Sequence, residues 1–198
     1  MMNEDESRAW NSRYAEGTTH WDLGGAPPVL EQLIARQRGR RRVLVPGAGH
    51  GHDALAWAAA GHEVVALDFA PLAVASMRER ASQRGVSLEV LEADVTRPPA
   101  SLRAGFDLVW EQTCLCALEP QLRRPYLEQM AAVLHPEGRM VALLWSHGRE
   151  GGPPYDMAPG LVERLVAGLF SIERREPVSG SIPEREPEAL WWLAPLRR

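Results

Sequence analysis

The stretch Val43-Leu44-Val45-Pro46-Gly47-Ala48-Gly49-His50-Gly51-His52-Asp53 decides the architecture. Its first three residues are a short apolar run ending in Pro46-Gly47, which reads as a buried parallel strand and its turn. Residues 53–60 are alanine-rich and stop at Gly61, as a helix with a C-terminal glycine does. Between the two, glycines let a backbone approach a ligand closely, and the helix N-terminus supplies free N–H donors. The spacing is G-x-G-x-G. A dinucleotide fingerprint would place its third glycine at position 52, where helix and strand must pack closely, and this chain has His52. The loop therefore fits a ligand without a pyrophosphate, and a nicotinamide-dependent oxidoreductase is disfavoured.

Outward from this loop the alternation continues. Residues 63–67 read as a second strand ending at Asp68, and 71–84 as a helix opened by Pro71 and closed by Gly85. Residues 88–91 and 106–110 are further strands. A helix over 120–134 is expected to stop at Pro136-Glu137-Gly138, before a fifth strand at 140–145. Strands alternating with such helices mean a parallel sheet covered on both faces. The tail differs: a helix over 161–169 precedes two strand-like stretches, 170–178 and 189–196, joined by the polar segment 179–187. That order predicts an antiparallel hairpin closing a seven-stranded, mostly parallel, Rossmann-like α/β sheet.

Asp68 at the end of the second strand is placed to accept both hydroxyls of a ribose. Asp94, after the third strand, is placed to meet an adenine amino group. A glycine loop, a ribose acid and an adenine acid at successive strand ends meet the requirements of S-adenosylmethionine. The candidate cofactor residues are Gly47, Gly49, Gly51, Asp68 with its neighbour Phe69, and Asp94 with its neighbour Val95. Two capping aspartates beside a turn are the alternative.

Composition bounds the rest. The chain has 198 residues, 45% hydrophobic and 24% charged. A chain of this size buries roughly 70% of its unfolded surface, so one domain over 1–198 is expected, needing no metal or disulfide to fold. The longest apolar runs fall short of the ~18 residues that span a bilayer. Met1 to Arg8 is polar and lacks the apolar stretch of a secretion signal. A cytoplasmic protein, monomer or homodimer, without membrane or nucleic-acid partner is expected, the net charge of −4 arguing against the latter. All 22 cationic residues are arginine, which excludes chemistry that needs a lysine Schiff base or a P-loop lysine. Cys114 and Cys116 are too close in sequence for an unstrained bridge.

Ahead of the first strand, Trp10, Tyr14 and Trp21 surround the Gly17-Thr18-Thr19 loop. They are either a lid packed on something flat or anchors for the N-terminus. His50 and His52 raise the question of a metal; with only Cys114 and Cys116 to supplement them, their spacing matches no usual zinc pattern, so none is expected. The five arginines of 36–42 read as a solvated helix end, where cations complement the dipole, ahead of a phosphate patch. In Trp191-Trp192, strand alternation sends one ring into the core and the other outward, where it is a candidate dimer contact.

With these motifs assembled, the sequence resembles the thiopurine methyltransferase superfamily, within it the plant and bacterial thiol or halide methyltransferases. Trp10 and the segment from Tyr14 to Asp22 are similar to the family's W-x-x-x-W-x-x-G-x-T-P-W-D stretch. Leu44 to Asp53 is similar to its L-V-P-G-C-G-x-G-x-D loop. Cys116-Ala117-Leu118-Glu119-Pro120 with Arg123, and Gly152-Pro153-Pro154-Tyr155, match two further signatures. The resemblance covers nearly the whole chain. It implies a class I methyltransferase fold with S-adenosylmethionine as donor, and an arm (1–28) whose Trp10, Tyr14 and Trp21 close over it. Tyr14 stands where the family usually has Trp, exchanging an indole N–H for a hydroxyl. Ala48 replaces a Cys in a loop that works through its backbone.

The activity this implies is methyl transfer to a small soft nucleophile, a thiol or hydrosulfide first. Halide, selenium, tellurium or a specialised small molecule follow, and a non-catalytic scaffold is the rival outside enzymology. A thiol ionises near pH 8.5 and needs little help, and no Ser-His-Asp pattern is present. Arg123 is the candidate for steering an anionic acceptor, against the alternative of a surface arginine. Tyr155 is the candidate lining residue, against a loop anchor. Glu111, ending the fourth strand, is a candidate contact for the donor's amino group, against a satisfied strand-end carboxylate.

Overall fold

Val43, Leu44 and Val45 are buried, and with Arg42 at the rim they form strand β1 (Arg42–Pro46). A computed structural model describes residues 4–178 and 182–196, and the chain divides into two compact units, Met1–Pro98 and Pro99–Arg198. Met1 to Asn3 of the arm, and Ser179, Gly180 and Ser181 of the expected polar turn, lie outside the described residues.

In the first unit β1 pairs in parallel with β2 (Glu63–Asp68), and β2 with β3 (Glu89–Glu92). β1 and β2 are continuous apolar runs, as strands covered on both faces must be. Four helices belong here: α1 (Glu4–Glu16), α2 (Pro28–Ala35), α3 (His52–Ala59) and α4 (Pro71–Arg84). Ala70, which precedes α4, has no side chain able to cap it. Asn11 on α1 does so instead, its Oδ1 accepting the Leu72 N–H at 3.0 Å. The arginine run only begins as a helix end. α2 stops at Ala35, and the run continues into β1, where Arg42 Nε meets the carboxylate of its register partner Glu63 at 2.8 Å.

In the second unit β4 (Phe106–Gln112) pairs in parallel with β5 (Leu134–Trp145). β6 (Phe170–Pro177) and β7 (Glu188–Pro195) follow as an antiparallel hairpin, with β7 against β5. The sheet order is β3-β2-β1-β4-β5-β7-β6, the expected seven-stranded, mostly parallel arrangement with helices on both faces. α5 (Pro120–Val133) and α6 (Pro159–Val166) complete the unit.

Two boundaries differ most from expectation. β5 starts at Leu134, so Pro136-Glu137-Gly138 is a bulge inside a strand rather than a break before one. Phe106 pairs with Leu134 and Leu108 with Arg139, leaving the residues between to loop outward. Gly138 closes that bulge, and a Cβ on it would lie 2.6 Å from the Phe106 carbonyl. α6 ends at Val166, short of Leu169, because the Arg124 guanidinium takes up the chain end: its Nη1 donates to the carbonyls of Leu165 (2.9 Å) and Ala167 (2.7 Å). The hairpin turn contains a short 3₁₀ segment, Pro183–Arg185. Trp191 is buried and Trp192 half-buried, with Arg175 and Arg174 respectively over their rings. Among the described residues no helix is long and apolar enough to cross a membrane.

Candidate active site

The ends of β1, β2 and β3 are fastened to one another by backbone. Ala48 N–H donates to the Leu67 carbonyl at 2.9 Å, and Ala93 N–H to the Asp68 carbonyl at 3.0 Å. Asp68, 4% exposed, ties the glycine loop to β2: Oδ2 accepts the Gly49 N–H at 2.8 Å and Oδ1 the Ala70 N–H at 2.9 Å. Burial raises its pKa, and these amides oppose the rise. Each carboxylate oxygen has two lone pairs, so a ribose hydroxyl can be accepted beside them. Asp94 is half-buried and accepts both the N–H (2.8 Å) and the hydroxyl (2.7 Å) of Thr96; Val95 beside it is buried. The Phe69 carbonyl accepts the hydroxyl of Ser7 on α1 at 3.3 Å.

Gly51 is the residue before α3, with φ of +80°, and a Cβ on it would sit 2.5 Å from Met77 Cγ. No side chain caps the first turn of α3, so its amides are left to the loop and to whatever binds there. That is the feature by which this loop suits S-adenosylmethionine.

The arm lies on the loop. Trp10 and Tyr14, one turn apart on α1, each meet Trp21 edge-on, with ring centroids 5.1 and 5.6 Å away. Tyr14 also meets His50 edge-on at 5.1 Å, and its hydroxyl would stand 3.2 Å from a Cβ on Gly49. Asp22 completes the attachment, Oδ1 lying 3.1 Å from His52 Nε2 and Oδ2 3.8 Å from His50 Nε2. His50 Nδ1 pairs with the Ser76 hydroxyl at 3.0 Å, and His52 Nε2 lies 3.2 Å from Arg80. Burial lowers both histidine pKa values more than Asp22 raises them, so both are neutral at pH 7. Asp22 ends the stretch from Tyr14 that resembles the family motif, and sequence spacing does not say what such an arm faces.

In the second unit, Glu111 at the end of β4 is fully buried. Oε1 accepts the N–H groups of Cys114 (3.1 Å) and Leu115 (2.8 Å), and Oε2 accepts the Tyr126 hydroxyl. This is the arrangement of a satisfied strand-end carboxylate, and burial raises it to about 7 despite these donors. It pins the segment leading to Cys116, whose thiol is pushed up to about 12 by burial and by Glu111. The Cys116 carbonyl accepts the Tyr155 N–H at 2.7 Å, which brings the Gly-Pro-Pro-Tyr loop to the same place. Arg123 is 4% exposed rather than on the surface; its Nε donates to the Leu118 carbonyl at 3.0 Å, and its guanidinium covers the Tyr155 ring at 4.5 Å. Its Nη2 is buried without a hydrogen-bond partner. A hydrogen bond to Glu119 raises the Tyr155 pKa, so the phenol stays protonated.

The thiopurine S-methyltransferase family model matches residues 5–191. The chain belongs to that family. Its members transfer a methyl group from S-adenosylmethionine, and this chain shares that chemistry. It is 33% identical over 178 residues to probable thiol methyltransferase 2 of Arabidopsis thaliana, covering 85% of this chain and 76% of that one. It is 31% identical over 187 residues to thiocyanate methyltransferase 1 of the same plant, covering 91% and 81%. Among solved structures, a protein studied for the conversion of a disulfide bond into a thioacetal group during echinomycin biosynthesis superimposes with a TM-score of 0.79 at 20% identity, covering 96% of this chain and 92% of that one. The Burkholderia thailandensis 1,6-didemethyltoxoflavin-N1-methyltransferase gives 0.74 at 23%, covering 97% and 87%. These two share the fold.

Proposed function

We propose that this thiopurine S-methyltransferase family member methylates a small soft nucleophile, a thiol or hydrosulfide first and thiocyanate, halide, selenium or tellurium species next. The observation that carries the reading is Arg123, a buried cation seated on the Tyr155 ring with one nitrogen left without a partner. Glu119 is a charged neighbour of the guanidinium, and an anionic acceptor would pair the nitrogen that is left over. The similarity to thiol and thiocyanate methyltransferases supports the same class.

Bound S-adenosylmethionine supplies a methyl group on a positively charged sulfur. Gly47, Gly49 and Gly51 with the first turn of α3 would hold it, Asp68 with Phe69 accepting the ribose and Asp94 with Val95 facing the adenine. Trp10, Tyr14 and Trp21 cover the loop and keep water off it. Arg123 stabilises the thiolate over the thiol and orients it, and Tyr155 fixes the guanidinium. Glu111 acts through the segment it pins, not by touching donor or acceptor. No base is needed when the nucleophile arrives ionised, and orientation in a dry site supplies up to about 7–11 kcal/mol. We assign the protein to the cytoplasm, and its two cysteines, Cys114 and Cys116, form no disulfide. We take residues 1–198 as one working methyltransferase domain, monomer or homodimer.

The test is S-adenosylhomocysteine release across hydrosulfide, aliphatic and aromatic thiols, thiopurines, thiocyanate, iodide and bromide. Turnover of thiols or thiocyanate is expected. Arg123→Ala should cut it at least tenfold while sparing donor affinity, and Asp68→Ala should weaken donor affinity more than tenfold. Silence across the panel from protein that binds the donor overturns the reading.

A further inference from the structure

We propose that His147 is an acceptor-binding residue whose Nε2–H donates to the same anion that Arg123 holds, so that the site selects the ionised nucleophile. The proposal rests on the soft-nucleophile reading above and names a contact that the sequence did not single out.

His147 lies two residues beyond Trp145, the last residue of β5, at the carboxyl end of a parallel strand where open α/β sheets bind ligands. Its ring is held on two sides. Nδ1 accepts the backbone N–H of Arg149 at 3.1 Å, and the ring stands edge-on to Trp145 with centroids 4.7 Å apart. A ring nitrogen that accepts a hydrogen bond carries no proton, so the ring's proton sits on Nε2. That Nε2 is buried and has no hydrogen-bond partner. Buried donors in native proteins are nearly always paired, because leaving one unpaired forfeits its hydration without return.

The second, independent observation is Arg123. Its Nη2 is likewise buried without a partner, on a side chain nine-tenths or more buried. One loop relates the two. Residues 146–156 are cinched at the base by Met157 N–H to the Trp145 carbonyl (3.1 Å) and by Gly148 N–H to Asp156 Oδ1 (3.1 Å). His147 stands at one end of this loop and Tyr155, the seat of the Arg123 guanidinium, at the other.

Two unpaired donors, one of them on a guanidinium, ask for lone pairs on a negative species. A thiolate, hydrosulfide or thiocyanate accepts from both. A neutral thiol accepts poorly and brings a proton that neither group can take, since Nδ1 is occupied by Arg149 and guanidinium has no lone pair. His147 is therefore a donor to the acceptor and not the base that ionises it.

The decisive variants are His147→Phe, which keeps a ring against Trp145 and removes the donor, and His147→Gln, which returns an N–H near the Nε2 position. Steady-state rates are measured with thiocyanate and with thiophenol across pH, and thiocyanate is titrated calorimetrically into the protein saturated with S-adenosylhomocysteine. His147→Phe should raise the thiocyanate Kd and the acceptor KM tenfold or more, leave the donor KM within twofold, and shift the half-maximal pH of thiophenol turnover upward. His147→Gln should recover most of each loss. An unchanged acceptor KM and Kd in His147→Phe overturns the proposal. Equal losses in both variants with a changed donor KM also overturn it, by making the residue a packing element. Failure of the broader reading is separate, because there the wild-type protein turns over no thiol, thiocyanate or halide.

Discussion

Two loops follow parallel strands in this chain and are built on opposite plans. The loop 47–53 after β1 is made of backbone: glycines and amides, one of which, Gly49 N–H, is held by the buried Asp68 of β2. Its side chains, His50 and His52, turn to other protein groups and find them in Asp22, Ser76 and Arg80. The loop 146–156 after β5 is made of side chains, and with Arg123 it leaves two buried donors without a protein partner. On the proposed assignment of the two loops, the difference matches the ligands. A donor common to a family is gripped through atoms every residue has, whereas an acceptor is chosen by particular side chains. Backbone grips tolerate sequence change at the x positions; side-chain grips do not.

If the first loop depends on backbone, the strongest blow to it is a single methyl group. Gly51→Ala places a Cβ 2.5 Å from Met77 Cγ in a conformation of φ +80°, and the clash plus the left-handed backbone should cost about 2–4 kcal/mol. Thermal melting and S-adenosylhomocysteine binding should both fall, with Met77→Ala restoring only part. Full recovery in the double variant would remove the backbone from the comparison.

Both units bury a strand-end carboxylate, Asp68 and Glu111, whose pKa burial raises. Glu111 is raised from 4.5 to about 7 by burial, so between these values the folded state holds a proton that the unfolded state has released. Its stability is therefore complete below about 4.5 and falls as pH rises through about 7, by on the order of 3 kcal/mol. Glu111→Gln keeps an acceptor for Cys114 and Leu115 and should flatten that slope in urea titrations at pH 5 and 8. An identical slope in both proteins would show that Glu111 stays ionised throughout. The smallest effect belongs to the arm. Trp21→Ala removes the edge contacts to Trp10 and Tyr14 and should raise the donor KM several-fold with acceptor KM unmoved. Movement of the acceptor KM instead would blur the division between the loops.

The pattern of strands, glycine loop and terminal hairpin was legible because each is a local or periodic signal. Asp68 and Asp94 were legible as strand-end acids. Glu111 was visible as a strand-end acid too, yet its partners Tyr126, Cys114 and Leu115 were not, since nothing in spacing says which donors fold back on it. The Pro136-Glu137-Gly138 break was misplaced because a bulge and a strand start share the same residues. A lone histidine in a polar loop has no sequence signature; the significance of His147 lies in an occupied Nδ1 and an unpaired Nε2.

By itself, then, the sequence determined the sheet and its hairpin, the type of donor, and the family, because hydrophobic period, turn chemistry and glycine spacing act between neighbours in the chain. Only the tertiary structure decided that the arm is anchored through Asp22 to His50 and His52, that Arg123 is buried and not on the surface, and that His147 presents an unpaired donor. Those depend on desolvation and on partners distant in sequence, and both quantities exist only once the chain has folded.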